Sequence, residues 1–389
     1  MIRRYTAIIA FAFLCLGVQA QSSQELLSKV ENNNLSLKAL QQQIEADSQS
    51  NLASAALTDP SVEFGYLFGL EGMNKHTLSV RQSFDFGAIS GARKTAALTR
   101  NELLTLEYRA ARRDVLTRAR TLLAEITYYN ALIEEYSIRL DYARQVEQAY
   151  RTGCEQGEFS ILDLRKASVS LAEAEGLLEL AQVERYALVS ELAALNGGEE
   201  IEVLAKSQEK VMIPGNFEDW VQSADGSSVL QYVSKQVSLS EQQLKLTRNE
   251  TMPNITIGYM EEVLPIEAFR GPTIGVSIPL WSSSRKVSSA KAKVQAAKAQ
   301  QKSVYAEFYA QAKALYNKAL RLGETSAKYN ALTAPEESLR DLKTALDAGE
   351  ISLIDYIAEL SFYYDTRELA LRTERDYLIA VAELKALEM

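Results

Sequence analysis

Two stretches of this chain carry the same short pattern. Gly157-Glu158-Phe159-Ser160-Ile161-Leu162-Asp163 is answered by Gly349-Glu350-Ile351-Ser352-Leu353-Ile354-Asp355, an offset of 192 residues from position 157 to position 349. Glu191-Leu192-Ala193-Ala194-Leu195 and Glu383-Leu384-Lys385-Ala386-Leu387 stand at the same offset, as do Arg93-Lys94 and Arg285-Lys286. Pro60 and Pro253 fall one residue off it, and an alternating segment follows each. Landmarks kept in one order at one spacing mean a two-fold duplication of about 190 residues, not a short-period solenoid. The repeats read as 21–196 and 229–389. The linker between them, 197–228, is marked by Gly197-Gly198, Pro214-Gly215 and Gly226-Ser227-Ser228.

Each repeat reads as helix, strand, strand, long helix, turn, helix. Helical periodicity runs from Gln24 to Leu57 and stops at Asp59-Pro60, because the residue before proline avoids the α region. Residues 61–68 then alternate, with Val62, Phe64, Tyr66 and Phe68 against Ser61, Glu63 and Gly65. Residues 77–84 alternate again, so the two form strands with one apolar and one polar face, joined as a hairpin across 69–75. The second repeat offers strands at 254–260 and 273–281.

A proline-free helical pattern follows from Ser90 to Tyr150, roughly 90 Å of helix. Its counterpart starts at Ser284, with breaks expected near Gly323 and Pro335. Ala290, Ala297 and Val304 fall seven apart, and Val294, Phe308, Leu315 and Leu322 lie on a second seven-residue series. Such spacing makes a coiled-coil seam, and its alanines let helices approach closely. The long helices end at tip turns near 153–160 and 347–352. There Gly157 and Gly349 suit left-handed backbone, and Ser160-x-x-Asp163 and Ser352-x-x-Asp355 open the next helix as capping boxes.

Composition excludes several classes of function. With 7 Pro and 18 Gly in 389 residues, a large all-β fold is disfavoured. A net charge of −9 does not suit a nucleic-acid partner. The single histidine, His76, and two cysteines, Cys15 and Cys154, leave little for histidine catalysis, a histidine-rich metal site or a disulfide framework. No nucleophile elbow, zinc motif or phosphate loop is present, so neither an enzyme nor a cofactor is expected. Cys154 reads as an unpaired, partly buried thiol and His76 as a solvent-exposed residue in or beside the first hairpin loop. Arg3 and Arg4, the apolar run from Ile8 to Val18 and the small-residue site ending at Ala20 read as a signal peptide, 1–20. Its removal takes the net charge from −9 to −11.

The strands match in length the ~9–11 residues that cross a bilayer as tilted β-structure. Four strands cannot close a barrel, however, and an open edge in lipid leaves backbone groups unpaired at several kcal/mol each. Three chains would supply twelve strands, within the range of outer-membrane barrels. Phe68, Phe84, Phe86 and Trp281 would suit their interfacial girdle.

With the duplicated order, the two hairpins and the tip segments Gly-Glu-Phe-Ser-Ile-Leu-Asp and Gly-Glu-Ile-Ser-Leu-Ile-Asp, the chain resembles the TolC family of outer-membrane efflux proteins over nearly its whole mature length. The resemblance implies a mainly α fold with a small β part, built as a homotrimer in the cell outer membrane. A twelve-stranded barrel would be continuous with a long α-helical barrel in the periplasm. It implies a passive exit duct, docked to a periplasmic adaptor and an inner-membrane pump of RND or ABC type. Adaptor contact maps onto Gly157, Glu158, Ser160, Gly349, Glu350 and Ser352. Family members narrow the periplasmic entrance with two aspartates three residues apart. Asp355 matches the first and Ala358 replaces the second, so a single ring of Asp355 is expected, beside its helix-capping role. The competing reading is a periplasmic coiled-coil adaptor or scaffold without a pore. That would need β-rich domains around one hairpin, whereas this chain has two hairpins.

Overall fold

A computed structural model describes residues 23–69, 74–84, 87–208, 213–278, 283–332 and 336–389. The leader 1–20, Phe86, Trp281 and Pro335 lie outside the described residues. The first repeat consists of α1 (Ser23–Asn33), α2 (Leu35–Ala53), β1 (Ser61–Leu67), β2 (Lys75–Phe84), α3 (Gly87–Gln156) and α4 (Ile161–Leu195). A short helix, α5 (Phe217–Ser223), leads into the second repeat: α6 (Ser228–Asn249), β3 (Asn254–Val263), β4 (Ala268–Ser277), α7 (Ser283–Leu332), α8 (Glu336–Asp347) and α9 (Leu353–Glu388).

The four strands form one antiparallel sheet in the order β1-β2-β3-β4. The two repeats therefore meet at the β2–β3 pairing. All long helices leave the sheet at the same end. α3 is 70 residues long, roughly 105 Å. It packs against α4, α9, α6 and α2, so it is the spine of the molecule. α4 meets it through Ala167, Ala174 and Ala181, all buried and seven apart, which keeps the two helices close. Two core clusters sit at mid-length. One gathers Leu26, Val30, Leu122, Ile126 and Leu192 with Ile201 and Val203 of the inter-repeat segment. The other gathers Phe217, Trp220, Phe308, Tyr316 and Leu384. Leu192 and Leu384, 192 residues apart, hold matching places in the two.

Three expectations are corrected. The opening helix is two helices, kinked at Asn34. That side chain accepts the Leu37 N–H at 2.9 Å and donates to the Leu195 carbonyl at 2.8 Å, tying the kink to the end of α4. α7 does not break at Gly323. The glycine serves a close approach, since an added Cβ would lie 2.9 Å from the Tyr377 ring of α9. The β3–β4 hairpin is tighter than 261–272: β3 runs on to Val263 and β4 starts at Ala268. Glu261 interrupts the apolar alternation, but Arg270 stands opposite it at 3.7 Å. The Leu264 N–H then closes the turn on the Glu267 carbonyl at 2.7 Å.

Candidate functional site

The sheet has two unlike faces. Cross-strand register sets Val62 beside Val80, Tyr259 and Pro272, with Phe64, Leu78, Ile257 and Ile274 on the same side. This face is mostly apolar and open, with the Glu261–Arg270 pair in the row of Phe64 and Leu78: Val62 and Phe64 are each 68 % exposed and Ile274 77 %. Tyr66 stands over His76 and Phe68. His76 is the second residue of β2, beside the hairpin loop, and is exposed. The other face carries Ser61, Glu63, Thr77, Arg81, Thr256 and Thr273 with Gly65, Gly258, Gly271 and Gly275. Its charges are paired within the sheet, Arg81 with Glu63 at 3.8 Å and Lys75 with Glu262. At Gly65 and Gly258 an added Cβ would crowd the Thr77 and Thr273 hydroxyl oxygens, so a bare backbone is needed there. Among the described residues, the outer edges of β1 and β4 have no strand beside them.

The two tip turns lie together at the far end of the helices. Val146, Tyr150 and Ala167 of the first hairpin share one cluster with Leu353 and Tyr356 of the second. Each long arm ends in the same motif. Glu158 N–H reaches the Gly153 carbonyl at 2.8 Å and Gly157 N–H the Cys154 carbonyl at 3.2 Å. Glu350 N–H reaches Ala345 at 2.9 Å and Gly349 N–H reaches Leu346 at 3.0 Å. This is the Schellman pattern, whose left-handed residue is glycine: Gly157 has φ 77° and Gly349 φ 70°. The next helix is capped by serine. Ser160 Oγ accepts the Asp163 N–H at 3.2 Å and donates to Asp163 Oδ2 at 2.7 Å. Ser352 does the same with Asp355 at 3.2 and 2.6 Å, and Asp355 Oδ2 also accepts the Ser352 N–H at 3.4 Å, completing a capping box. The Ser160 hydroxyl, aided by Lys166, holds the Asp163 carboxyl below its ordinary range. Glu158, Ser160, Glu350, Ser352 and Asp355 are all exposed, and Cys154 is half-buried.

Sequence reading missed the links that tie α9 to α3 above the tips. Arg367 Nε donates to Glu135 at 2.7 Å, the Tyr136 hydroxyl donates to Glu368 at 3.1 Å, and the Arg139 guanidinium sits 4.9 Å over the Tyr364 ring. Burial drives the Tyr364 phenol far above its ordinary value and pushes Tyr356 up to about 12. These partners are more than 200 residues apart in the chain, and nothing in local periodicity pairs them.

Sheet, duplicated hairpins and paired tips define a class of fold: that of the TolC-like outer-membrane channels. No family model matches the sequence, and no curated protein matches it. Solved structures do match. CusC, described as forming a transmembrane channel, superposes with a TM-score of 0.80 at 12% identity, over 94% of this chain and 92% of that one. The CmeC outer membrane channel of Campylobacter jejuni gives 0.75 at 14%, over 95% and 85%. The outer membrane protein VceC of Vibrio cholerae gives 0.76 at 14%, over 94% and 96%.

Proposed function

We propose that three copies of this chain close a twelve-stranded barrel in the outer membrane and continue it as a helical conduit through the periplasm. The protein then acts as the passive exit duct of a tripartite efflux or secretion system. The sheet carries this reading: four strands, apolar on one face, small and polar on the other, with both edges open. Lipid would cover the first face, cargo and water would meet the second, and the edges of neighbouring copies would pair. The helices support it. Along α4, Leu162, Val169 and Val183 lie on one seven-residue series, and all are exposed together with Leu180 and Tyr186. A second seam on the side away from the buried alanines suits a neighbouring copy. No helix among the described residues is long and apolar enough to cross a membrane.

The exposed turn residues Gly157, Glu158, Ser160, Gly349, Glu350 and Ser352 would receive a periplasmic adaptor coupled to an inner-membrane pump. Asp355 would ring the entrance, and the leader 1–20 would be cleaved on export. The duct performs no chemistry and takes no cofactor, so energy and cargo choice come from the pump. The test is conductance across a planar lipid bilayer. Purified protein should give discrete, stable channels, and protein that inserts without conducting would sink the duct. Substituting Glu158 and Glu350 together with lysine should abolish efflux-dependent resistance in cells while leaving trimer assembly intact. Unchanged resistance would remove the tips from the docking site.

A further inference from the structure

We propose that the membrane-proximal ends of α3 and α7 form a cationic collar that binds the phosphate headgroups of anionic phospholipids in the periplasm-facing leaflet. This rests on the outer-membrane reading above. The repeated pair Arg93-Lys94 and Arg285-Lys286 prompts it, because neither the duct nor the core uses these residues: Lys94, Arg285 and Lys286 are exposed.

The charge distribution is one-sided. In a chain of net charge −9, the first carboxylate of α7 is Glu307. Before it come Arg285, Lys286, Lys291, Lys293, Lys298 and Lys302. The first carboxylate of α3 is Glu102, preceded by Arg93, Lys94 and Arg100. Both helices start at the sheet: β2 ends at Phe84 and α3 begins at Gly87, while β4 ends at Ser277 and α7 begins at Ser283. At 1.5 Å per residue, Lys286 and Lys293 lie roughly 5 and 15 Å along α7, and Arg93 roughly 9 Å along α3. With a Debye length of about 8 Å, Lys286 and Arg93 lie within about one screening length of the helix starts and Lys293 within about two. Lys298 is farther down and is already paired with Glu241 at 2.7 Å.

Arg285, Lys286 and Lys293 also share a groove of about 460 Å³ between α6 and α7, with Ser289 and Thr247 on its walls. Its one carboxylate, Glu250, lies 3.8 Å from Arg93, the cation of the other repeat. Among the described residues, no carboxylate is within ion-pair range of Arg285, Lys286 or Lys293. The site is therefore an open groove with three uncompensated cations and the hydroxyls of Ser240, Thr247 and Ser289, beside the surface where phosphodiester headgroups would lie. Arginine can grip two phosphate oxygens, lysine supplies point charge, and the hydroxyls can donate to the remaining oxygens. Each cation held at an anionic lipid surface gives about a five-fold preference.

The test uses the full-length protein in vesicles of phosphatidylethanolamine containing phosphatidylglycerol as the minor lipid. The protein is then extracted in detergent, and the retained lipids are measured by mass spectrometry. Wild type should retain phosphatidylglycerol several-fold above its share of the vesicle. R285Q/K286Q/K293Q should return it to that share, and R93Q/K94Q should lower it partway. K313Q/K328Q, the same kind of change farther down α7, should leave it alone. Absence of enrichment in wild type, or enrichment unchanged in the triple variant, would overturn the collar. Stripping of the lipid by soluble glycerophosphoglycerol or inorganic phosphate would show that the groove takes free anions, which also overturns it. Protein that never enters the vesicle would instead overturn the membrane reading beneath it.

Discussion

The two tips share a backbone but not its support. Both end in a Schellman turn with a left-handed glycine and restart from a serine cap. The first hangs from α3, unbroken over 70 residues. There Phe159 folds back to stack on Tyr150, ring centres 4.3 Å apart, and covers Gly153. The second hangs from α8 (Glu336–Asp347). Position 345, the counterpart of Gly153, is alanine, and Ile351 replaces Phe159. The larger aromatic in the first tip demands the smaller residue beneath it. Duplication has preserved hydrogen bonding and let packing diverge.

The sharpest way to break that comparison is at the packed position. Gly153→Val drives a side chain into the Phe159 ring and should cost about 1–3 kcal/mol of local stability. Ala345→Val should cost about 0.5 kcal/mol. Hydrogen exchange of the tip amides reads both, and equal effects would refute the difference in packing. Next come the turn glycines. Gly157→Ala and Gly349→Ala should each cost about 1–2 kcal/mol, because each places a Cβ in left-handed backbone. Here the tips should agree, and a large disparity would show that the two turns are not equivalent. Ser160→Ala and Ser352→Ala should each cost about 1 kcal/mol in the same measurement, as lost helix caps. The smallest effect is with pH. Asp163 is held below its ordinary range by Ser160 and then Lys166. A depressed carboxyl stabilises above its unfolded value, and that stability is lost as pH falls through the folded one. Protection of the first tip should be flat above about pH 5 and decline below about pH 4. Asp163→Asn should abolish the decline, and a decline that persists would assign it to another group.

Much of this architecture was legible wherever one physical rule acted locally. Period-two alternation at 61–68 and 77–84 placed the first hairpin, and Gly-Glu-x-Ser-x-x-Asp placed both turns. Legibility failed where a distant partner decided the outcome. Asn34 looks like one more polar residue in a helix until Leu195 is seen to accept from it. Gly323 reads as a breaker until the Tyr377 ring lies against it. Glu261 and Glu262 seem to end a strand, yet Arg270 and Lys75 carry it on. Of the candidate site, the tip residues could be read as a pattern. The Glu135–Arg367 and Tyr136–Glu368 links could not, because they arise only once α3 and α9 lie side by side.

The central claim is that the open sheet closes only between copies. Light scattering on the size-exclusion peak of the detergent-extracted outer-membrane fraction tests it most directly. The expected result is a protein mass three times that of one mature chain. A monomer, or protein confined to the soluble periplasm, would leave β1 and β4 with unpaired edges and contradict the duct.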